Sequence, residues 1–154
     1  MEVKEAREYV VEKLDYAFKP RTIAVIGASR NEKKVGFKVI QSLRNSGYKG
    51  IIYPVNLNAT EVGGLKAYRS VKDIPGDVDL AFVALPAVGV FDALKECVAK
   101  GVKIAVVSSS GFKEVGNGDL QNEITEYCRE NELPLIGPNL VGIGTPYFDF
   151  NCGF

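Results

Sequence analysis

The sequence has no histidine and only three cysteines in 154 residues. Without an imidazole, the chain alone can form no histidine-based nucleophilic triad, no histidine general acid or base and none of the usual zinc centres. Cys97, Cys128 and Cys152 are odd in number and far apart, which suits neither a disulfide framework nor paired metal ligands. They read as reduced thiols filling packing space. Neither sign of charge is in excess: 19 basic and 19 acidic side chains cancel, so nothing points to a nucleic-acid partner or an acidic membrane surface. No run approaches the ~20 apolar residues of a membrane span. The amino terminus, MEVKEAREYVVEKL, lacks the apolar core of a signal peptide. The expectation is a cytosolic protein with no membrane contact.

What is present is an ordinary globular composition, 46% hydrophobic and 25% charged. A chain of this length is most simply one domain and buries roughly 70% of its unfolded surface. Residues 4 to 17 place Ala6, Tyr9, Val10, Leu14 and Ala17 at helical spacing, predicting an amphipathic helix that Pro20 ends. Beyond it the apolar runs are short and continuous: TIAVI (22–26), IIYPV (51–55), DLAFVAL (79–85), KIAVVS (103–108) and PLI (134–136). Strands of this kind are buried on both faces, as in a parallel sheet covered by helices.

Helical patterns separate most of them. Val35, Val39, Ile40 and Leu43 share a face before Gly47; Phe91, Leu94 and Val98 do so before Gly101; Leu120, Ile124, Tyr127 and Cys128 make a third. Ser70 stands three residues before Asp73, the spacing of a capping box. The alternation of strand and helix predicts an α/β fold, doubly wound, with a mainly parallel sheet. The whole chain, 1–154, reads as one domain. Its last residues, about 140–154, fit no helix period and are expected as an irregular aromatic tail carrying Tyr147, Phe148, Phe150 and Phe154. Either that tail folds back on the sheet or the chain is the front part of something longer.

In a doubly wound fold, ligands bind beyond the carboxyl ends of the strands. The first such end is IAVIGASRNEKKVG, residues 23–36. Gly27 permits a sharp turn, and Ala28 and Ser29 are small enough for the backbone to approach a ligand closely. Ser29 adds a hydroxyl, and Arg30, Lys33 and Lys34 add positive charge for a polyphosphate before the second glycine, Gly36. The loop has no G-x-G-x-x-G and no Walker lysine, and the second strand ends in Asn56 where a ribose-binding acid is expected; both disfavour a nicotinamide or flavin dinucleotide. A purely structural turn fits the spacing equally well. Turn-forming residues recur at the other strand ends, at Leu85-Pro86, at Ser108 to Gly111 and at Gly137 to Asn139.

Taken in order, LDYAFKPRTIAVIGASRNEKKVG, GIIYPVN, GLKAYRSVKDIPGDVDLAFVALPA, SSSGFKEVG and LIGPNLVGI resemble the amino-terminal Rossmann-like CoA-binding domain of the ADP-forming acyl-CoA synthetases. They resemble more distantly the α subunit of succinyl-CoA synthetase. The resemblance implies that Gly27, Ala28, Ser29 and Arg30 receive the CoA phosphates and that Val55 and Asn56 lie beside the nucleotide. By the same resemblance Leu85, Pro86 and Val88 wall the CoA moiety, Ser109, Ser110 and Gly111 hold the pantetheine arm, and Asn139 lies where the thiol meets the catalytic centre. Lys33, Lys34 and Gly36 complete the expected coenzyme A site. This chain has VNLN where the family often has VNPK, so Leu57 and Asn58 replace a proline and a lysine.

The family's reaction passes a phosphoryl group through a phosphohistidine on the next domain, with an ATP-grasp domain or subunit supplying the nucleotide. The resemblance therefore implies a module that binds CoA or acyl-CoA, with further synthetase domains or an ATP-grasp subunit as partners, in an oligomer. The abrupt aromatic end favours a fragment. A free-standing CoA-sensing protein without catalysis is the alternative, and a nicotinamide-dependent enzyme is disfavoured.

Overall fold

The computed structural model describes residues 3–154, with side chains from residue 7 onward. Five strands, β1 (Thr22–Ile26), β2 (Ile51–Val55), β5 (Leu80–Val83), β6 (Ile104–Val107) and β7 (Leu135–Ile136), form one sheet in the order β2-β1-β5-β6-β7. Every pairing in it is parallel. These are the five continuous apolar runs of the sequence. β1, β5 and β6 lie in the sheet interior, covered by helices on both faces, whereas β2 and β7 are its edges and Ile51 of β2 is exposed. Chain order reverses between β1 and β5, so the switch point of the sheet lies there.

Each strand serves two cores. Ala24, Ala81 and Ala105 align across β1, β5 and β6, and this row of small side chains lets α3 (Ala87–Lys100) and α4 (Gly118–Glu130) pack closely on one face. On the other face Val25, Phe82 and Val106 align and meet Val39, Ile40 and Leu43 of α2 (Val35–Asn45). Gly47 and Gly101 follow α2 and α3 with φ of 87° and 77°, the left-handed turn expected of glycine past a helix. The Ser70 capping box forms as expected, around a 3-10 turn over Val71–Asp73.

At the amino edge of the sheet, buried Asp79 accepts the Arg21 backbone N–H at 2.8 Å, and its own N–H donates to the Thr22 hydroxyl at 2.9 Å. These bonds pin the start of β5 against the start of β1. The opposite, carboxyl edge is left to the loops.

One expectation needs correction. The tail is not irregular: β8 (Gly142–Thr145) and β9 (Phe150–Gly153) pair antiparallel, and Phe150 and Cys152 enter the α2-side core. Its period of two is hidden because Gly142, Gly144 and Gly153 show no side chain, yet a Cβ at Gly142 would lie 2.3 Å from the Cys152 carbonyl oxygen. Close backbone contact is what those glycines serve. In α1 (Val3–Phe18) the apolar positions are unevenly buried. Ala17 is buried and Tyr16 and Phe18 pack beside it, whereas Tyr9, Val10 and Leu14 are exposed. Among the described side chains, those of the last turn reach the core; the side chain of Ala6 lies outside the described residues. A short hairpin, β3 (Glu61–Val62) with β4 (Leu65–Lys66), was too brief to register as a sequence pattern.

Candidate functional site at the carboxyl edge

The turn after β1 is built on backbone contacts that exclude side chains. Gly27 has φ of 88°, and a Cβ there would stand 2.3 Å from the Ala84 carbonyl oxygen, so only glycine fits between the ends of β1 and β5. The Gly27 and Ala28 N–H groups both donate to the Val55 carbonyl, at 3.1 and 3.2 Å. Gly36, inside the first turn of α2, presses on the same turn from below: a Cβ there would meet the Gly27 carbonyl oxygen at 2.1 Å. Its place is the close packing of helix on strand end.

Beyond the turn the loop is held by its own polar groups. The Asn31 N–H donates to Ser29 Oγ at 3.0 Å and the Lys33 N–H to Asn31 Oδ1 at 2.9 Å. Arg30, Lys33 and Lys34 are exposed around it. No side chain caps the start of α2 or of α3, and both helices begin at the carboxyl edge. Amides at an uncapped helix start, next to basic side chains, favour an anion.

Asn56 ties the second strand end to this loop. Its Nδ2 donates to the Ala28 carbonyl at 2.7 Å, and its Oδ1 accepts the Asn58 and Ala59 N–H groups, each at 2.8 Å. The side chain is therefore a clip between loops, with no acceptor left for a ribose diol.

Two clefts flank the switch point. One, of about 310 Å³, is floored by Ile26, Val55, Leu85 and Ala93, reaches Gly27 and Asn56, and is bordered by Leu57, Asn58, Arg69, Gly89, Asp92 and Glu96. The second, of about 370 Å³, lies between Leu85, Pro86, Ser108, Ser109 and Ser110 on one side and Asn139, Leu140, Val141 and Phe154 on the other, with Val35 and Ala84. Leu85 lines both and forms the ridge between them. The Leu85 N–H donates to Ser109 Oγ at 3.2 Å, and the Asn139 N–H donates to the Ser109 carbonyl at 3.0 Å. Buried Ser109 thus joins the β5, β6 and β7 loops. Gly111, at φ of 105°, gives its N–H to Glu114, as does Phe112. Those backbone bonds, Gly111 foremost, hold the Glu114 carboxyl below the ordinary carboxylate range.

The expected residues are thus distributed unevenly. Gly27, Val55, Asn56 and Leu85 meet in the first cleft, and Leu85, Pro86, Ser109, Ser110 and Asn139 in the second. Ala28, Ser29, Arg30, Lys33 and Lys34 form the adjoining loop, and Gly111 follows Ser110. Val88 departs from expectation: it is 87% exposed on the first turn of α3, outside both linings. Sequence reasoning does not reach Gly89, Asp92 and Glu96, although their spacing of three and four places them on one helix face. Arg69 carries no sequence signal at all; the β3–β4 hairpin brings it to the cleft.

None of the three thiols is poised for chemistry. Burial, then Cys128 and Glu96, pushes Cys97 up to about 12, and burial raises Cys128 to about 11 and Cys152 well above the ordinary thiol range.

A doubly wound parallel sheet, a glycine turn at its switch point and paired clefts on the carboxyl edge define the class: a Rossmann-like ligand-binding domain. The family model described as a CoA binding domain matches residues 21–146, and the chain belongs to that family. It is similar to the acetate–CoA ligase (ADP-forming) of Methanocaldococcus jannaschii, with 40% identity over 96% of this chain and 20% of the relative. Similarity to the α subunit of acetate–CoA ligase (ADP-forming) II of Pyrococcus furiosus is 45% identity over 92% of this chain and 31% of that subunit. Among solved structures, the dinucleotide forming acetyl-coenzyme A synthetase 1 of Ca. Korarchaeum cryptofilum, in complex with phosphate and ADP, superposes with a TM-score of 0.88. The identity is 38%, over 91% of this chain and 30% of that one. The chain is thus homologous to the CoA-binding part of ADP-forming acyl-CoA synthetases and spans only 20% to 31% of these two curated relatives.

Proposed function

We propose that this chain holds coenzyme A for an ADP-forming acyl-CoA synthetase, in which the ligand lies across the carboxyl edge over the Leu85 ridge. The observation that carries this reading is that Leu85 belongs to two clefts at once, beside a turn that only Gly27 can make. A ligand with a charged nucleotide end and a long, amide-bearing arm fits such a path. Its diphosphate meets the Gly27 to Arg30 loop, where the α2 amides, Arg30, Lys33 and Lys34 supply donors and charge. Its adenosine enters the first cleft, over Ile26, Val55 and Ala93. The pantetheine arm crosses Leu85 and Pro86 into the second, along Ser109, Ser110 and Asn139.

In this reading the chain's own residues bind and orient CoA as a substrate and do no bond-breaking. Phosphoryl transfer and nucleotide binding belong to further domains or a partner subunit, as the lengths of the relatives suggest. Titration calorimetry with CoA and NAD tests the reading. CoA is expected to bind and NAD to bind far more weakly, since Asn56 offers no carboxylate. Replacing Arg30, Lys33 and Lys34 together by alanine is expected to weaken CoA roughly ten-fold or more, as loss of charge-assisted phosphate contacts does. Tighter binding of NAD than of CoA overturns the proposal, and undiminished CoA binding by the folded triple variant removes the basic loop from the site.

A further inference from the structure

Arg69 is the one basic residue among those lining the first cleft. The three cations of the Gly27 loop, Arg30, Lys33 and Lys34, do not line it. The site therefore has two centres of positive charge, one at the loop and one lining the first cleft.

The Arg69 backbone is held from both sides. On one side, the Tyr68 N–H donates to the Pro54 carbonyl and the Tyr68 carbonyl accepts the Asn56 N–H, both at 2.9 Å, so residue 68 continues the sheet beside β2. On the other side Ser70 is fixed by its capping box with Asp73. The guanidinium itself is exposed and, among the described residues, has no ion pair.

The two acids that share the cleft are engaged elsewhere. Glu96 accepts the Ser70 hydroxyl at 2.6 Å and faces Lys72 at 3.9 Å. Asp92 pairs with Lys95 at 3.2 Å. A cation on an anchored backbone, at the rim of an apolar cleft whose acids already have partners, is suited to an incoming anion.

That anion is not the diphosphate, which the Gly27 loop takes. CoA carries one more phosphate, the monoester on its ribose. Resting on the CoA reading above, we propose that Arg69 recognises this ribose monophosphate, so that the chain distinguishes CoA from dephospho-CoA. Asn58 stands in the same cleft and can donate from its amide, but it carries no charge. Arg69 thus supplies the charge on that side.

The test is calorimetry with CoA and dephospho-CoA on the wild type, Arg69→Gln and Arg69→Lys at one fixed ionic strength. The wild type is expected to prefer CoA about ten-fold or more, the range of a charge-assisted hydrogen bond. In Arg69→Gln that preference should vanish through loss of CoA affinity alone, with dephospho-CoA binding unchanged. Arg69→Lys should keep part of it, because charge survives and the planar fork does not. Melting temperatures should match, since the side chain is exposed and has no ion pair among the described residues. A CoA preference that persists in Arg69→Gln, or an equal loss for both ligands, overturns the role of Arg69 while leaving the CoA site intact. Failure of the wild type to bind either ligand overturns the CoA reading itself, and the Arg69 proposal with it.

Discussion

The Nδ2 of Asn56 donates to the carbonyl of Ala28 at 2.7 Å, across 28 residues of chain, and so fastens the end of β2 to the turn after β1. The other end of the same amide caps the Asn58 and Ala59 N–H groups. Asparagine is the residue that can do both, because it carries a donor and an acceptor on one short side chain. Asn56→Asp keeps the acceptor and sets a carboxylate against the Ala28 carbonyl. The variant is expected to lose roughly 1–3 kcal/mol of stability and to bind CoA more weakly. Denaturant unfolding and calorimetry check both, and wild-type values in both would show that the clip does not organise the loop.

Gly36 supplies a test in which helix propensity and packing oppose each other. Inside a helix, Gly→Ala ordinarily gains about 1 kcal/mol. Here the added Cβ would lie 2.1 Å from the Gly27 carbonyl oxygen and 2.9 Å from Ala28 Cα, both backbone. Packing wins, because neither atom belongs to a flexible side chain. Gly36→Ala should destabilise by about 1–3 kcal/mol and weaken CoA binding by displacing the loop. A higher unfolding midpoint in the variant would contradict this account of the turn.

The thiols are a test of burial. Cys97 and Cys128 are pushed up to about 12 and about 11 from an ordinary value of 9.0. At pH 8 a thiol-specific disulfide reagent should react with none of the three cysteines in the native protein and with all of them in denaturant. The sign of the linkage follows from the raised values. The neutral thiol is favoured in the fold, so this contribution to stability is complete below pH 9 and declines as pH rises toward 11 to 12. Rapid native labelling at pH 8 would mean that the core around the labelled thiol opens readily.

Catalysis is expected to be absent from the chain alone. It has no histidine to accept a phosphoryl group, and its thiols are held protonated by burial. Incubated with labelled ATP, acetate and CoA, the 154-residue protein should form neither acid-labile protein phosphate nor acetyl-CoA. Activity should appear when the domains carrying a histidine and an ATP site are supplied. Turnover by the pure chain above a no-protein control would overturn its role as a holding module.

The sequence by itself determined the sheet and its helices, because runs such as Ile23 to Ile26 and Leu80 to Val83 are apolar without interruption, too short for helices and bounded by turn residues, the pattern of strands covered on both faces. It also determined the turn at Gly27, since a glycine at a strand end followed by small residues is a local signal. The tertiary structure alone decided what surrounds that turn. Gly36 and Asn56 are expected at the ligand, Asn56 from the resemblance, and only the packed loops reveal that Gly36 makes the contact of helix on turn and that Asn56 clips two loops together at the first cleft. Arg69 reaches the cleft because a short hairpin and a bridge to β2 carry it there, a placement set by contacts between distant segments. Phe150 and Cys152 fill the α2-side core for the same reason. Strand period is legible only where alternate side chains exist to display it, and in a glycine-rich hairpin the surface it packs against decides which way it faces.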